Sequence, residues 1–199
     1  MNILVASHPR SGTNWTLNTI SQNFGYARYR NLPDNTSEIR INTTDKLYKT
    51  HLAYYKLVGT EAIKCKFIYV KREIKDTLVS WYHYDMGDGR HRATTFSKWL
   101  RETPKNKWGI SARNMAEHLN RHHRSWESVH KCLYISYEDL TRKFEETVDR
   151  MSEFIQLPIT GEYTRPLKRD CIRPQKGIIG AWKEHFTEED LRFIGEIDE

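Results

Sequence analysis

The chain has 199 residues, of which 38% are hydrophobic and 29% charged, with a formal net charge of +6. That length suits one domain, residues 1–199, with a real core, and the composition is that of a folded soluble protein. No apolar run approaches the roughly 18 residues needed to span a bilayer, so no membrane-spanning segment is expected.

The N-terminal MNILVASHPR has no basic stretch ahead of a long apolar one, so no secretory signal is expected. Cys65, Cys132 and Cys171 are odd in number, widely spaced and without a CxxC. They argue against a disulfide framework and a zinc site, and a reducing cytoplasm is the expected location. The positive charge favours polyanions, leaving nucleic acid, an acidic membrane surface and a phosphorylated nucleotide open.

In chain order, Ile3–Ala6 reads as a buried strand ending at a turn, His8–Gly12, with a helix from Asn14 to Phe24 after it. Asp45–Thr50 is a second candidate strand. Lys66–Val70, β-branched and aromatic, is the strongest strand signal. Ile74, Leu78 and Tyr82 recur every four residues and predict a helix, as do Met115, Leu119, His122 and Trp126. Leu133–Ile135 reads as a strand. Leu140, Phe144, Val148, Met151 and Ile155 mark one amphipathic helix. Thr187 and Asp190 have capping-box spacing for a last helix, with Phe186 and Leu191 as a candidate staple. Strands separated by helices predict an α/β fold, a parallel sheet covered by helices, whose ligand lies beyond the carboxyl ends of the strands.

Three motifs follow strands. The turn His8-Pro9-Arg10-Ser11-Gly12-Thr13-Asn14-Trp15 aims backbone N–H groups at one point by a helix N-terminus and adds a permanent charge, an anion-binding arrangement. It lacks the GxxxxGK(S/T) of a Walker loop. Lys49-Thr50-His51 offers a base with a pKa near neutrality beside a cation. Arg72, at the end of the third strong strand, and Ser80, two helical turns on, can converge on a phosphate. A fourth segment, Gln175 to Thr187, begins as a basic, glycine-containing loop able to fold over a phosphate. Taken singly, each also fits an ordinary turn, a structural histidine or a solvated basic surface.

Together these segments resemble the cytosolic-type PAPS-dependent sulfotransferases (PAPS is 3′-phosphoadenosine 5′-phosphosulfate). PRSGTNW is similar to that family's YPKSGTTW, with Arg10 in place of Lys. KTH is similar to its KTHLP, with Ala53 in place of Pro. Tyr69 to His83 resembles YVxRNPKDVxVSYYH, with Glu73 in place of Asn. Gln175 to Thr187 resembles RKGxxGDWKNHFT, with Gln175 and Ala181 in place of Arg and Asp. Ser136 to Leu140 echoes YEDL.

The resemblance implies a P-loop-like three-layer α/β/α fold with a central parallel sheet. It implies that Arg10, Ser11, Gly12, Thr13 and Asn14 cradle the 5′-phosphosulfate and that Trp15 stacks on adenine. Arg72, Ser80, Lys176 and Gly177 would hold the 3′-phosphate, with Tyr137 near the adenosine. His51 would be the catalytic base, with Lys49 and Arg10 stabilising charge on the transferring group. PAPS would be the donor and PAP (adenosine 3′,5′-bisphosphate) the product, without a metal. The expected partner is a small acceptor, a phenol or alcohol first, with neither nucleic acid nor membrane. The chain is shorter than usual members, which the resemblance assigns to regions shaping the acceptor pocket.

A P-loop-type kinase or NTPase, and a non-catalytic nucleotide- or nucleic-acid-binding module, are the alternatives at this stage. His118 and His122 have metal-ligand spacing without an HExxH. Arg121–Arg124 reads as a solvated helix face, Trp182 as core packing, and Asp85–Arg92 as a loop beside the third motif.

Overall fold

In a computed structural model, which describes residues 1–27, 30–43, 45–87, 95–105, 108–167 and 177–198, five strands form one sheet. They are β1 (Ile3–Ala6), β2 (Arg30–Asn31), β3 (Leu47–Thr50), β4 (Lys66–Lys71) and β5 (Cys132–Ser136), in the order β2-β3-β1-β4-β5. Every pairing is parallel. The predicted α/β sheet is therefore present, with the short edge strand β2 added to it.

The helices are α1 (Thr13–Phe24), α2 (Ile74–Gly87), α3 (Phe96–Arg101), α4 (Met115–Glu127), α5 (Tyr137–Arg142), α6 (Phe144–Ile155) and α7 (Glu188–Asp198). Alternate strand residues point to opposite faces of the sheet. Ile3, Val5, Ile68 and Val70 meet Leu17 and Ile20 of α1 and Val148 and Met151 of α6. Leu4, Ala6, Phe67 and Tyr69 meet Trp126 of α4 on the other face. A third cluster joins α2, α3 and α4 through Leu78, Trp81, Trp99 and Leu119. Both sheet faces are thus covered, as an all-parallel sheet requires.

Several expectations are corrected in detail. The amphipathic run from Leu140 to Ile155 is two helices: the backbone leaves helical geometry at Lys143, φ −124° and ψ 53°. Leu140 and Phe144 still reach the same core, so the apolar period survives the break. The Thr187–Asp190 box forms, with Thr187 N–H donating to Asp190 Oδ2 and Asp190 N–H to Thr187 Oγ1, both at 3.2 Å. The staple is absent, because Phe186 packs on Phe96 while Leu191 stays exposed.

Arg121–Arg124 is only half a solvated face. The arginines are exposed, but His122 and His123 are buried because they share the inward side of α4 with His118 and Trp126. Asp85 belongs to α2 rather than to a loop, and its buried carboxylate accepts Trp99 Nε1–H at 3.2 Å; residues 88–92 lie outside the described residues. Trp182 packs in the α2/α3/α4 cluster, as expected of a core residue. Cys65 and Cys132 are free thiols.

The sheet register decides where the site forms. Ala6, the last residue of β1, pairs with Thr50 of β3 and Tyr69 of β4, and Lys71 of β4 pairs with Ser136 of β5. Four strands therefore end nearly level. The turn after β1, His51 after β3, Arg72 after β4 and Tyr137 after β5 all emerge at one edge. Because β1 lies between β3 and β4, this edge is also where the chain switches direction across the sheet, the usual crevice for a ligand.

Candidate active site

The turn after β1 is built from two residues in the left-handed region, Arg10 (φ 74°) and Gly12 (φ 98°). Gly12 is the N-cap of α1, and it caps without any side-chain hydrogen bond. The first intrahelical bond runs from Thr16 N–H to the Gly12 carbonyl at 3.0 Å. The N–H groups of the preceding turn gain nothing from the helix itself, and they carry the positive end of its dipole. Ser7 and Thr13 hydroxyls bond beneath the turn and brace it.

His51 sits beside this turn because β3 is in register with β1. Its Nδ1 lies 2.8 Å from the Ser7 carbonyl. A carbonyl only accepts, so Nδ1 carries the hydrogen and Nε2 is the basic nitrogen of the neutral ring. Burial, and then the neighbouring Lys49 charge, push the His51 pKa down to about 3. Lys49 Nζ donates to Asn14 Oδ1 at 3.1 Å, tying β3 to the first turn of α1. The Lys49 pKa is itself lowered, by burial first and then by the Arg10 charge. Lys49 is thus the electrostatic neighbour both of His51, two residues on, and of Arg10, far away in the chain.

A second basic group lies toward β4 and β5. Arg10 Nε–H donates to Ser80 Oγ at 3.3 Å. Arg72, 8% exposed, sends one amino group to the Arg10 carbonyl at 3.4 Å and the other to the Ile178 carbonyl at 3.0 Å. Its guanidinium lies over the Tyr137 ring, 4.9 Å from the centroid, and Tyr137 Oη–H donates to the Gly177 carbonyl at 3.2 Å. Arg72, Ser80, Tyr137 and Gly177 are brought together, and Arg10, which the resemblance assigns to the 5′ end, links Ser80 to Arg72. Lys176, Gln175 and Arg173 lie outside the described residues.

Glu73 does not turn its charge into this group. Its Oε2 accepts Asp76 N–H at 2.8 Å, so the carboxylate caps α2, a favourable place for negative charge. Sequence reasoning missed two supports of the site. Asp76, buried in the first turn of α2, accepts Gly180 N–H at 2.7 Å and Trp182 N–H at 3.1 Å, and so holds the segment that brings Gly177 and Ile178 over Arg72. The N–H groups on both sides of Ala181 are thereby satisfied. Tyr84 lies under the Arg10 guanidinium, 5.3 Å from its ring centroid. The only signal for Asp76 was its place one helical turn before Ser80.

The site suits an anion with more than one charged end. Ser11 Oγ and Arg72 Nε are buried, and neither has a hydrogen-bond partner among the described residues. Arg10 and Lys49 stand close enough for the first to depress the pKa of the second, a cost that a polyanion would remove. Trp15 is half-buried, and its Nε1–H also lacks a partner among the described residues.

The family model for the sulfotransferase domain matches residues 1–175. The chain belongs to the sulfotransferase family. The chain is 24% identical over 213 residues to cytosolic sulfotransferase 4 of Arabidopsis thaliana, covering 94% of this chain and 69% of that protein. It is 24% identical over 243 residues to the amine sulfotransferase of Oryctolagus cuniculus, covering 96% and 78%. In fold, the sulfotransferase is similar to mouse sulfotransferase SULT7A1 complexed with PAP, at a TM-score of 0.70 and 19% identity over 98% of this chain and 82% of that one. It is equally similar to retinol dehydratase in complex with androsterone and the inactive cofactor PAP: TM-score 0.70, 15% identity, 99% of this chain and 79% of the other. The P-loop-like α/β fold implied by the motifs is thus shared with these structures. No helix among the described residues of this sulfotransferase is long and apolar enough to cross a membrane.

Proposed function

We propose that this sulfotransferase moves a sulfuryl group from PAPS to a hydroxyl or amine of a small acceptor, with His51 as general base. The donor would supply an electrophilic sulfur and a phosphate leaving group. The turn Arg10–Trp15 would take its 5′ end, with Trp15 against adenine. Arg72, Ser80, Lys176 and Gly177 would take the 3′-phosphate, with Tyr137 beside the adenosine. His51 Nε2 receives the acceptor proton as the nucleophile attacks sulfur, while Lys49 and Arg10 meet the charge that develops on the sulfuryl and leaving oxygens.

One observation carries this reading: the Ser7 carbonyl fixes His51 in the tautomer whose Nε2 can accept a proton, beside Lys49, which in turn neighbours Arg10. A bound polyanion would offset the neighbouring positive charge and raise the His51 pKa toward the working range. The amine sulfotransferase among the relatives supports an amine as one such acceptor.

The test combines binding with turnover. Calorimetry is expected to find PAP bound much more tightly than ATP, and labelled sulfate should pass from PAPS to a member of a panel of phenols, alcohols, amines and sugars. His51→Ala should lower turnover by about 100-fold or more with PAP affinity nearly intact. A preference for ATP would point to the kinase alternative, and near-normal turnover of His51→Ala would remove His51 from the base role.

A further inference from the structure

Helix α4 directs three polar side chains at the backbone leaving β3. His122 Nε2 lies 2.9 Å from the His51 carbonyl, Trp126 Nε1–H donates to the Leu52 carbonyl at 3.2 Å, and Ser125 Oγ accepts Tyr54 N–H at 3.3 Å. Ala53 N–H donates to the Trp108 carbonyl at 2.9 Å. Each residue from His51 to Tyr54 thus has a backbone group tied down, three of them by one helix.

The His122 bond has a defined polarity. The His51 carbonyl can only accept, so His122 Nε2 carries the hydrogen and its Nδ1 is the acceptor of a neutral ring. Tyr69 Oη, from β4, lies 2.9 Å from that Nδ1 and donates to it. The Tyr69 ring is itself held by stacking on Trp126, centroids 5.2 Å apart at 18°. His122 is fully buried, and burial, then the His123 charge, keep it well below the ordinary imidazole range and so neutral. An imidazole is costly at such a position unless both nitrogens are bonded. Leu119, on the same inward side of α4, needs no such partners.

We propose that His122 is a positioning residue for His51: its Nε2–H, set in that tautomer by Tyr69, fixes the His51 peptide and with it the aim of the imidazole. The proposal rests on the reading of His51 as base. The Ser7 carbonyl orients the ring from the side of the turn, and His122 anchors the backbone behind it. A base held at both points keeps its direction without reorganising when the acceptor arrives, and a misplacement of about 1 Å at such a point costs about 100-fold in rate.

The test uses His122→Phe, His122→Gln and Tyr69→Phe in the full chain, each alone and in the His51→Ala background, with PAP affinity measured by calorimetry. His122→Phe is expected to lower kcat by about 30- to 100-fold, with PAP affinity and donor KM within about twofold. His122→Gln, whose amide N–H can replace Nε2–H, should recover most of the loss. In the His51→Ala background His122→Phe should change residual turnover by less than about threefold.

An unchanged kcat, an equal loss in the His51→Ala background, or a Gln variant as impaired as Phe would each overturn the assignment. Should His122→Phe fail to fold, Tyr69→Phe decides. It removes one hydroxyl, and a several-fold fall in kcat that vanishes in the His51→Ala background is expected, while no fall overturns the proposal. Full turnover by His51→Ala itself would instead mark failure of the base reading.

Discussion

Gly12 lies against the ring of Tyr137 so closely that a Cβ on it would stand 2.6 Å from Tyr137 Cδ2. The turn after β1 and the helix after β5 therefore meet at a point where only a hydrogen fits, and the Gly12 φ of 98° independently disfavours any side chain. Gly12→Ala should lose about 1–3 kcal/mol of stability and weaken PAP binding at least about tenfold. Adding Tyr137→Ala should restore part of the stability, since it removes the clash but not the strained backbone. Thermal unfolding and calorimetry check both, and full PAP affinity in Gly12→Ala would contradict the account.

Asp76 gives a second prediction. Its two oxygens hold Gly180 N–H and Trp182 N–H. Asp76→Ala leaves both donors unmatched, at about 1–3 kcal/mol each, whereas Asp76→Asn keeps one acceptor and should cost about half as much. PAP affinity should fall in the same order, because the segment from Gly177 to Trp182 loses its tether. Amide exchange at Gly180 and Trp182 reads the release directly, and unchanged protection there would refute the tether.

The pH dependence of stability follows from the buried histidines. Burial is the first cause of the low pKa values of His8, His51, His122 and His123, with His51 at about 3 and His123 at about 4. In the unfolded chain each returns to about 6.5. Below that pH the unfolded state binds protons that the native state refuses, so stability falls as the pH falls. The loss is up to about 1.4 kcal/mol per pH unit per group, and it ends near pH 4 for His123 and near pH 3 for His51. Urea midpoints should be nearly level from about pH 8 to 7 and drop steeply below about 6.5. A flat series down to pH 5 would mean that the rings are not buried and neutral.

Asp190 anchors α7. Burial alone would raise its pKa, but bonds from Arg101, Ser97 and Thr187 outweigh it and hold the carboxyl below its usual range. Asp190→Asn should destabilise the protein by about 2–3 kcal/mol, seen as a lower urea midpoint, with little change in PAP affinity. A loss of PAP binding as large as that of Gly12→Ala would show that α7 supports the site more directly than its contacts suggest.

The order of β1, β3, β4 and β5 and of the longer helices was legible because those strands are short runs rich in apolar, aromatic or β-branched residues and their neighbours carry a helical period, whereas the two-residue β2 and the six-residue α3 are too short to show a period. The break at Lys143 was not, because neither Gly nor Pro marks it and the apolar period runs straight through. The burial of His122 and His123 was hidden by flanking arginines: a run of four basic-looking residues spans both sides of one helical turn, and sequence alone weights them equally.

The sequence by itself determined the chemistry of the parts: which strands end in Arg10, His51 and Arg72, and that glycine and hydroxyl residues follow the first strand. These are local properties, set by side-chain type and by periods of two and near four residues. Only the tertiary structure decided that the three strand ends are level, that Ser7 sets the tautomer of His51, and that Asp76, Tyr69 and His122 brace the site. Those contacts join residues 44 to 106 positions apart, and it is parallel register and helix packing, with no local signature in the chain, that bring them together.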